Sequence, residues 1–436
     1  MAAVHVIGGG LAGCEAAYYI ANQGIDVKLW EMRPIKNTPV HRTPYLAELV
    51  CSNSLKSDQK DTAQGLLKRE MRILGSLLLQ CAEETRVPAG SALAVDRDLF
   101  AQKVTSVIEG HQRIEIIRRE ADSIPEDQLV VIATGPLTSG KLWQCLQSIT
   151  GEENLYFYDA VAPSVTAESL DMTKVFRASR YGKGGDDYLN CPLTKEEYEK
   201  FYHALVEADV AEGHSVDQGL FFSGCMPVEV MARRGIDTLR YGPMRPVGLK
   251  NPHDNSRPYA VVQLRQEDRE GRIYGLVGFQ TRLKWGEQDR IFRMIPGLEK
   301  AEFVRYGVMH RNTYINSPEL LHPTLQLRSN PCILFAGQIT GVEGYMESAA
   351  TGIIAGVNAS RLFKGQEPII PGEYTMIGSL LRFIATANRT NFQPINASFG
   401  LLPELVPGVK DRKMRYQLYV ERALQQAREF SELLLV

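Results

Sequence analysis

Two of the seven cysteines, Cys51 and Cys225, stand where a thiol could act as a nucleophile. Cys51 lies in the polar stretch Glu48-Leu49-Val50-Cys51-Ser52-Asn53-Ser54-Leu55-Lys56-Ser57, where Lys56 could help hold a thiolate charge. Cys225 follows Gly224 and precedes Pro227, which places it in a turn rather than inside a helix. A lone cysteine is more often a small buried apolar residue. That is the reading for Cys14, Cys81, Cys145, Cys191 and Cys332. The count is odd, the spacing wide, and no CxxC pair occurs, so neither a disulfide framework nor a metal site is expected and a reducing cytoplasm is.

The second chemical signal is backbone rather than side chain. Gly8, Gly9, Gly10, Leu11, Ala12 and Gly13 form GxGxxG between a strand expected over residues 4–7 and a helix expected to run to about Gln23. A second strand, Val27 to Trp30, ends at Glu31. Each part has a use in dinucleotide binding. Gly8 permits the tight turn, Gly10 lets the backbone approach a pyrophosphate, and Gly13 lets helix and strand pack closely. The helix N-terminus offers free N–H groups to the phosphates. Glu31 would accept from ribose hydroxyls.

Two later segments select FAD among dinucleotides. Leu129 to Pro136 is an apolar strand ending in Ala-Thr-Gly, with Thr134 and Gly135 at the turn, and resembles the second fingerprint of two-dinucleotide-binding flavoproteins. Ile333 to Gln338 is another strand ending at a glycine, Gly337. It leads through Gly341 and Gly344 into a helix expected from about Glu347 to Ala359. That helix carries Ala349, Ala350, Gly352, Ala355 and Gly356, so it can lie close to a cofactor or a strand, with its N-terminus toward the ribityl chain and pyrimidine end of a flavin. The candidate FAD residues are therefore Gly8 to Gly13, Glu31, Thr134, Gly135, Gly337, Gln338, Gly341 and Gly344.

The fold follows from that spacing. Segments near residues 4–31, 129–136 and 333–359 must meet at one cofactor. The expected class is α/β, a Rossmann-type FAD-binding domain of the two-dinucleotide-binding kind with a large α+β insertion. Its parts are residues 1–150, an insertion or substrate domain over 151–325, and a second FAD-binding part over 326–436 ending in a charged helix, Asp411 to Leu434. A chain of 436 residues suits such an arrangement. Within the insertion, Glu196 to Glu212 reads as an amphipathic helix, and Tyr259 to Leu264 and Ile273 to Gln280 read as strands.

The strand–Ala-Gly-Gln-x-x-Gly-x-x-Gly pattern at residues 333–344 resembles flavoproteins that modify tRNA uridines. The two cysteine stretches, Glu48 to Ser57 and Phe222 to Glu229, and Tyr241 to Leu249 resemble the family of folate- and FAD-dependent tRNA (uracil-5-)-methyltransferases, and the likeness runs from Val4 to about Arg428. The resemblance implies that Cys225 is the thiolate that adds to C6 of a T-loop uridine. Such an adduct makes C5 a carbon nucleophile and splits one hard step into two easier ones. It also implies that Cys51 assists, that methylenetetrahydrofolate gives the carbon, and that the flavin, recharged by NAD(P)H, gives the electrons. His310, His322 and Tyr345 are candidates to stack on the folate ring.

A formal net charge of −2, with 44% hydrophobic and 23% charged residues, gives no global sign of a nucleic-acid partner, so a tRNA site has to be a local patch. Arg233, Arg234, Arg240, Arg245 and Lys250 cluster near Cys225 and supply one; Lys410, Arg412, Lys413 and Arg415 read as a solvated helix start. No apolar run is long enough to span a membrane. The first residues run straight into a strand, which leaves no room for a signal peptide. Ribosomal RNA as substrate, a small-molecule NAD(P)H-linked flavin oxidoreductase, and a non-catalytic RNA-binding flavoprotein stay open as alternatives. So does the oligomeric state, a monomer included.

Overall fold

The structure is a computed structural model and describes residues 3–125, 127–151, 155–211, 226–406 and 408–435. Its first sheet has six strands, in the order Gln326–Leu327, Asn330–Phe335, Val130–Ile132, Val4–Ile7, Val27–Trp30 and Ile114–Ile117. Every neighbouring pair is parallel except the first. The middle strands are short apolar runs because both faces are covered by helices. Four of their carboxyl ends stand side by side, and the residues that follow them are Gly8, Glu31, Ala133-Thr134 and Ala336-Gly337. In an open α/β sheet that edge is where ligands bind.

The helix Leu11–Asn22 packs on this sheet, and the longer helix Tyr345–Phe363 lies along it. The small residues of the second helix make that approach possible. A Cβ on Gly352 would fall 2.3 Å from the carbonyl oxygen of Ala12, and one on Gly356 would fall 3.0 Å from that of Ala16. Its close neighbour is thus the first helix rather than a strand. The helix begins two residues earlier than expected because Gly344, at φ 122°, is its N-cap.

Residues 155–160 and 309–314 form a two-stranded ribbon, Leu155–Ala160 against Met309–Tyr314, through which the chain leaves and returns. Beyond it lies a second sheet with only antiparallel pairs, in the order Phe176–Arg177, Tyr188–Leu193, Ala260–Gln266, Ile273–Leu276, Ser164–Thr166 and Phe303–Arg305. It has its own core, in which Leu189, Cys191, Val262 and Leu264 meet Tyr198, Phe201 and Leu205. Those last three come from the helix Lys195–Glu207, which starts at a capping box of Thr194 and Glu197. The strand expected to reach Gln280 stops at Leu276, since Gly278 turns the chain at φ 76°. The C-terminal helix, Arg412–Leu433, begins at Asp411, whose side chain accepts from Met414 N. Among the described residues no helix is long and apolar enough to cross a membrane.

Candidate functional site

One cavity of about 340 Å³ runs along the strand ends. Gly8 to Ala12, Glu31, Thr134, Gly135, Gly337, Gln338, Gly344 and Cys51 all line it. Three segments far apart in sequence are therefore brought to one place. Gly13 and Gly341 stand behind the wall instead. A Cβ on Gly13 would sit 1.8 Å from Gly8 O, so its bareness serves the strand-to-helix turn. Gly341, at φ 83°, ends the short turn Gln338–Thr340 with Phe392 against it.

The glycine loop has the features that a pyrophosphate needs. Gly8 sits at φ 108°, and a Cβ there would meet Ala133 O at 2.5 Å. Gly10 differs: a Cβ there would meet no protein atom within 4 Å, although Gly10 lines the cavity. Its missing side chain leaves room for an occupant rather than for the fold. Gly10 is also the N-cap of Leu11–Asn22, which has no side-chain cap and no acid in its first turn, so its first N–H groups remain available to an anion. Cys14 donates its thiol to Gly9 O at 3.5 Å and is fully buried; burial drives its pKa far up, which suits packing rather than chemistry. Burial likewise raises Cys81, to about 12, and Cys191.

Glu31 is held more firmly than the sequence suggested. Its carboxylate accepts from Gly9 N (3.0 Å), Arg33 N (3.0 Å), Arg33 Nε (3.0 Å) and Arg33 Nη2 (3.2 Å). Burial would raise its pKa, but the Arg33 side chain outweighs it and the net shift is downward. Arg33 reaches on to Glu48 Oε2 at 3.0 Å. Four donors use the four acceptor positions of a carboxylate, so a ribose hydroxyl bonds to Glu31 only by sharing or displacing one. Arg33 stands two residues after Glu31, but no motif marked it.

At the other end, Cys51 is half-buried, with its thiol 3.9 Å from Ala160 O on the ribbon. Tyr345 Oη accepts from Cys51 N (2.8 Å) and Ser52 N (3.2 Å), fixing the loop. Lys56 does not serve Cys51. Its ammonium is paired with Glu347 Oε1 at 3.2 Å. The cations near Cys51 are arginines instead. Arg265 donates to Ser52 Oγ (2.6 Å) and Asn53 Oδ1 (2.8 Å), and Arg97 donates to Leu49 O (3.3 Å). Arg97 and Arg305 both pair with Glu267, at 2.9 and 3.3 Å. Burial lowers Arg305 to about 10 and lowers Arg265 as well. The charges of Arg97, Arg305 and Arg265 behind the Cys51 loop outweigh burial at Glu267 and hold its pKa down.

Some expected groups fall elsewhere. Cys225 lies outside the described residues, as does the side chain of His310. His322 does not line the cavity; its backbone pairs with Gln326 and its ring faces Arg328. Tyr345 does line it. Arg233, Arg234, Arg245 and Lys250 are exposed, whereas Arg240 is held by Asp237 and lies 3.6 Å over the Tyr259 ring. Among the described residues no group of three or more His, Cys, Asp or Glu could hold a metal ion.

Comparison with known proteins gives a matching family and relatives along the whole chain. The model of the family described as GIDA, Glucose inhibited division protein A, matches residues 3–367. A protein of Syntrophomonas wolfei subsp. wolfei named Methylenetetrahydrofolate--tRNA-(uracil-5-)-methyltransferase TrmFO is 67% identical over 435 residues, covering 100% of both chains. A protein of the same name from Moorella thermoacetica is 59% identical over 422 residues, covering 97% of each. Among solved structures, Aquifex aeolicus GidA in its form II crystal superposes with a TM-score of 0.72 at 17% identity, covering 99% of this chain and 73% of that one, a likeness of fold.

Proposed function

The chain belongs to the GIDA family and, within it, to the methylenetetrahydrofolate--tRNA-(uracil-5-)-methyltransferases TrmFO, and from that premise we propose that it methylates C5 of a T-loop uridine in tRNA. The carbon comes from methylenetetrahydrofolate, and bound FAD, reduced by NAD(P)H, supplies the electrons that bring it to a methyl group. Residues 1–150 and 326–436 hold the flavin, and 151–325 form the insertion that meets RNA. The site of action is a cytoplasmic one.

One observation carries the reading. Cys51 shares a single cavity with the glycine loop, the Thr134-Gly135 turn and the N-terminus of Tyr345–Phe363. A flavin held by Gly8 to Ala12, Thr134, Gly135, Gly337, Gln338 and Gly344 would share that cavity with the thiol. A plain flavin oxidoreductase has no use for a cysteine in that cavity.

In the proposed reaction Cys225 adds to C6 of uracil and Cys51 assists at the same centre. Val228 N donates to Gln280 O at 2.7 Å, and Gln280 lines the cavity. Two residues, Met226 and Pro227, stand between Cys225 and Val228 in the sequence. Arg233, Arg234, Arg245 and Lys250 offer exposed charge to RNA phosphates.

The test is a covalent trap. RNA carrying 5-fluorouridine should form an adduct with the wild-type protein that survives a denaturing gel, because fluorine cannot leave C5 as a proton does. Cys225→Ala should keep its flavin spectrum and form no adduct. Cys51→Ala should lose turnover and still form it. An adduct with Cys225→Ala but none with Cys51→Ala would reverse the two roles.

A further inference from the structure

Methylation at C5 requires the loss of the C5 proton, and the cavity holds an acid–base group that no cysteine accounts for. Glu343 lines the cavity together with Cys51 and is 7% exposed. Its place is fixed by Glu343 N donating to Ile395 O at 2.7 Å and by Gln338 Nε2 donating to its Oε2 at 2.5 Å. Asp159 lines the same cavity from the ribbon and is 5% exposed. Two carboxyl groups buried together do not both ionise readily. The nearby cation, Lys56, is paired with Glu347. Burial first, then the charges of Asp159 and Glu347, push Glu343 upward, against Lys56 and the Gln338 bond, which act the other way. A carboxylate raised in this way is a stronger base than a free one.

A second observation points to a polar ring at the same wall. Asn312 is 1% exposed, lines the cavity, and its Oδ1 has no hydrogen-bond partner. Asp159 stands opposite His310 in the ribbon, two residues from Asn312, so Asp159 and Asn312 project from one face. Burying an amide oxygen without a donor costs about 1–3 kcal/mol. A pyrimidine ring N–H is a donor of the right kind.

We propose that Glu343 is the general base that takes the C5 proton of the target uridine, with Asp159 as its positioning partner. This rests on the methylation reading above. The step balances without any further reagent. In the adduct whose C5 already carries the one-carbon unit from methylenetetrahydrofolate, the C5–H bond breaks and its proton goes to the Glu343 carboxylate. Its electron pair becomes the C5–C6 double bond, and the C6–S bond breaks with its pair returning to the cysteine as thiolate.

The experiment uses the flavin-loaded protein with methylenetetrahydrofolate, NAD(P)H and RNA carrying tritium at C5 of uridine, and it reads tritium release into water. Glu343→Gln should slow release by about 100-fold, keep the flavin spectrum, and form the 5-fluorouridine adduct to the wild-type extent, since that adduct needs no proton removal. Glu343→Asp, with the carboxyl retained, should recover part of the rate. Asp159→Asn should move the acid limb of the release profile about one pH unit lower, because it removes a like charge from beside the base. Wild-type release from Glu343→Gln, or an unmoved limb in Asp159→Asn, would overturn the assignment. A wild-type protein that neither releases tritium nor forms the adduct would instead defeat the methylation reading.

Discussion

At the glycine end of the cavity the wall is five consecutive residues, Gly8 to Ala12, and the acid that closes the next strand. At the cysteine end it is Cys51, Asp159, Gln280, Asn312, Glu343 and Tyr345, of which Cys51 and Tyr345 touch across 294 residues of chain. The first end works through backbone: a turn, a helix terminus, and one position kept bare for an occupant. The second works through side-chain charges whose values depend on burial and on each other. Backbone-built sites tolerate almost nothing at their own glycines but depend little on distant residues. The charge-built end inverts this, and its function is spread over residues that touch no cofactor.

That contrast can be broken most sharply at Gly10. Gly10→Val should weaken FAD binding by about 100-fold, because the new side chain enters the space a pyrophosphate needs. It should leave the melting temperature of the cofactor-free protein within about 2 °C, since no protein atom stands in its way. Gly13→Ala is the counterpart. Its Cβ would strike Gly8 O, so it should lower stability by about 3 kcal/mol as well as lose flavin. Equal melting temperatures for the two variants would erase the distinction between a ligand-facing and a fold-facing glycine.

A smaller effect is expected at the cysteine end. Arg265→Met removes two charged donors from Ser52 and Asn53. Charged hydrogen bonds contribute about 1.5–3 kcal/mol, so turnover should fall about 10- to 100-fold while FAD stays bound. Loss of flavin with unchanged specific activity per flavin would show that the arginines serve the cofactor and not the thiol. Smaller still is Tyr345→Phe. It removes the acceptor for Cys51 N and Ser52 N, worth about 1–2 kcal/mol, and should lower turnover about 10-fold with a full flavin spectrum.

The same contrast explains what could be read from the chain alone. The strands Val4–Ile7 and Val27–Trp30 coincide with their expected bounds, since short apolar runs closed by glycine and an acid admit few other structures. The three segments that line the cavity each ended a strand at a glycine, a local signal. Arg33 was invisible because nothing in its spacing marks it as the partner of Glu31. Arg97, Arg265, Arg305 and Glu267 carry no motif; Arg97 opens the helix Arg97–Glu109, and only the second sheet, docked behind residues 49–53, brings Arg265, Arg305 and Glu267 to Cys51. Lys56 misled for the converse reason: it is near Cys51 in sequence, yet Glu347, near it only in space, takes its charge. Asp159 and Asn312 share a face only through the register of two strands that lie far apart in the chain.

The central claim is that a flavin site and a thiol site form one machine for folate-dependent uridine methylation. It is tested most directly by incubating the purified protein with unmodified tRNA, NAD(P)H and methylenetetrahydrofolate labelled in its methylene carbon. Nucleosides from the digested RNA are then separated. Label should appear in 5-methyluridine, should depend on both the folate and the reductant, and should be lost in Cys225→Ala. Label absent from 5-methyluridine, or a methyl group taken from S-adenosylmethionine, would contradict the account.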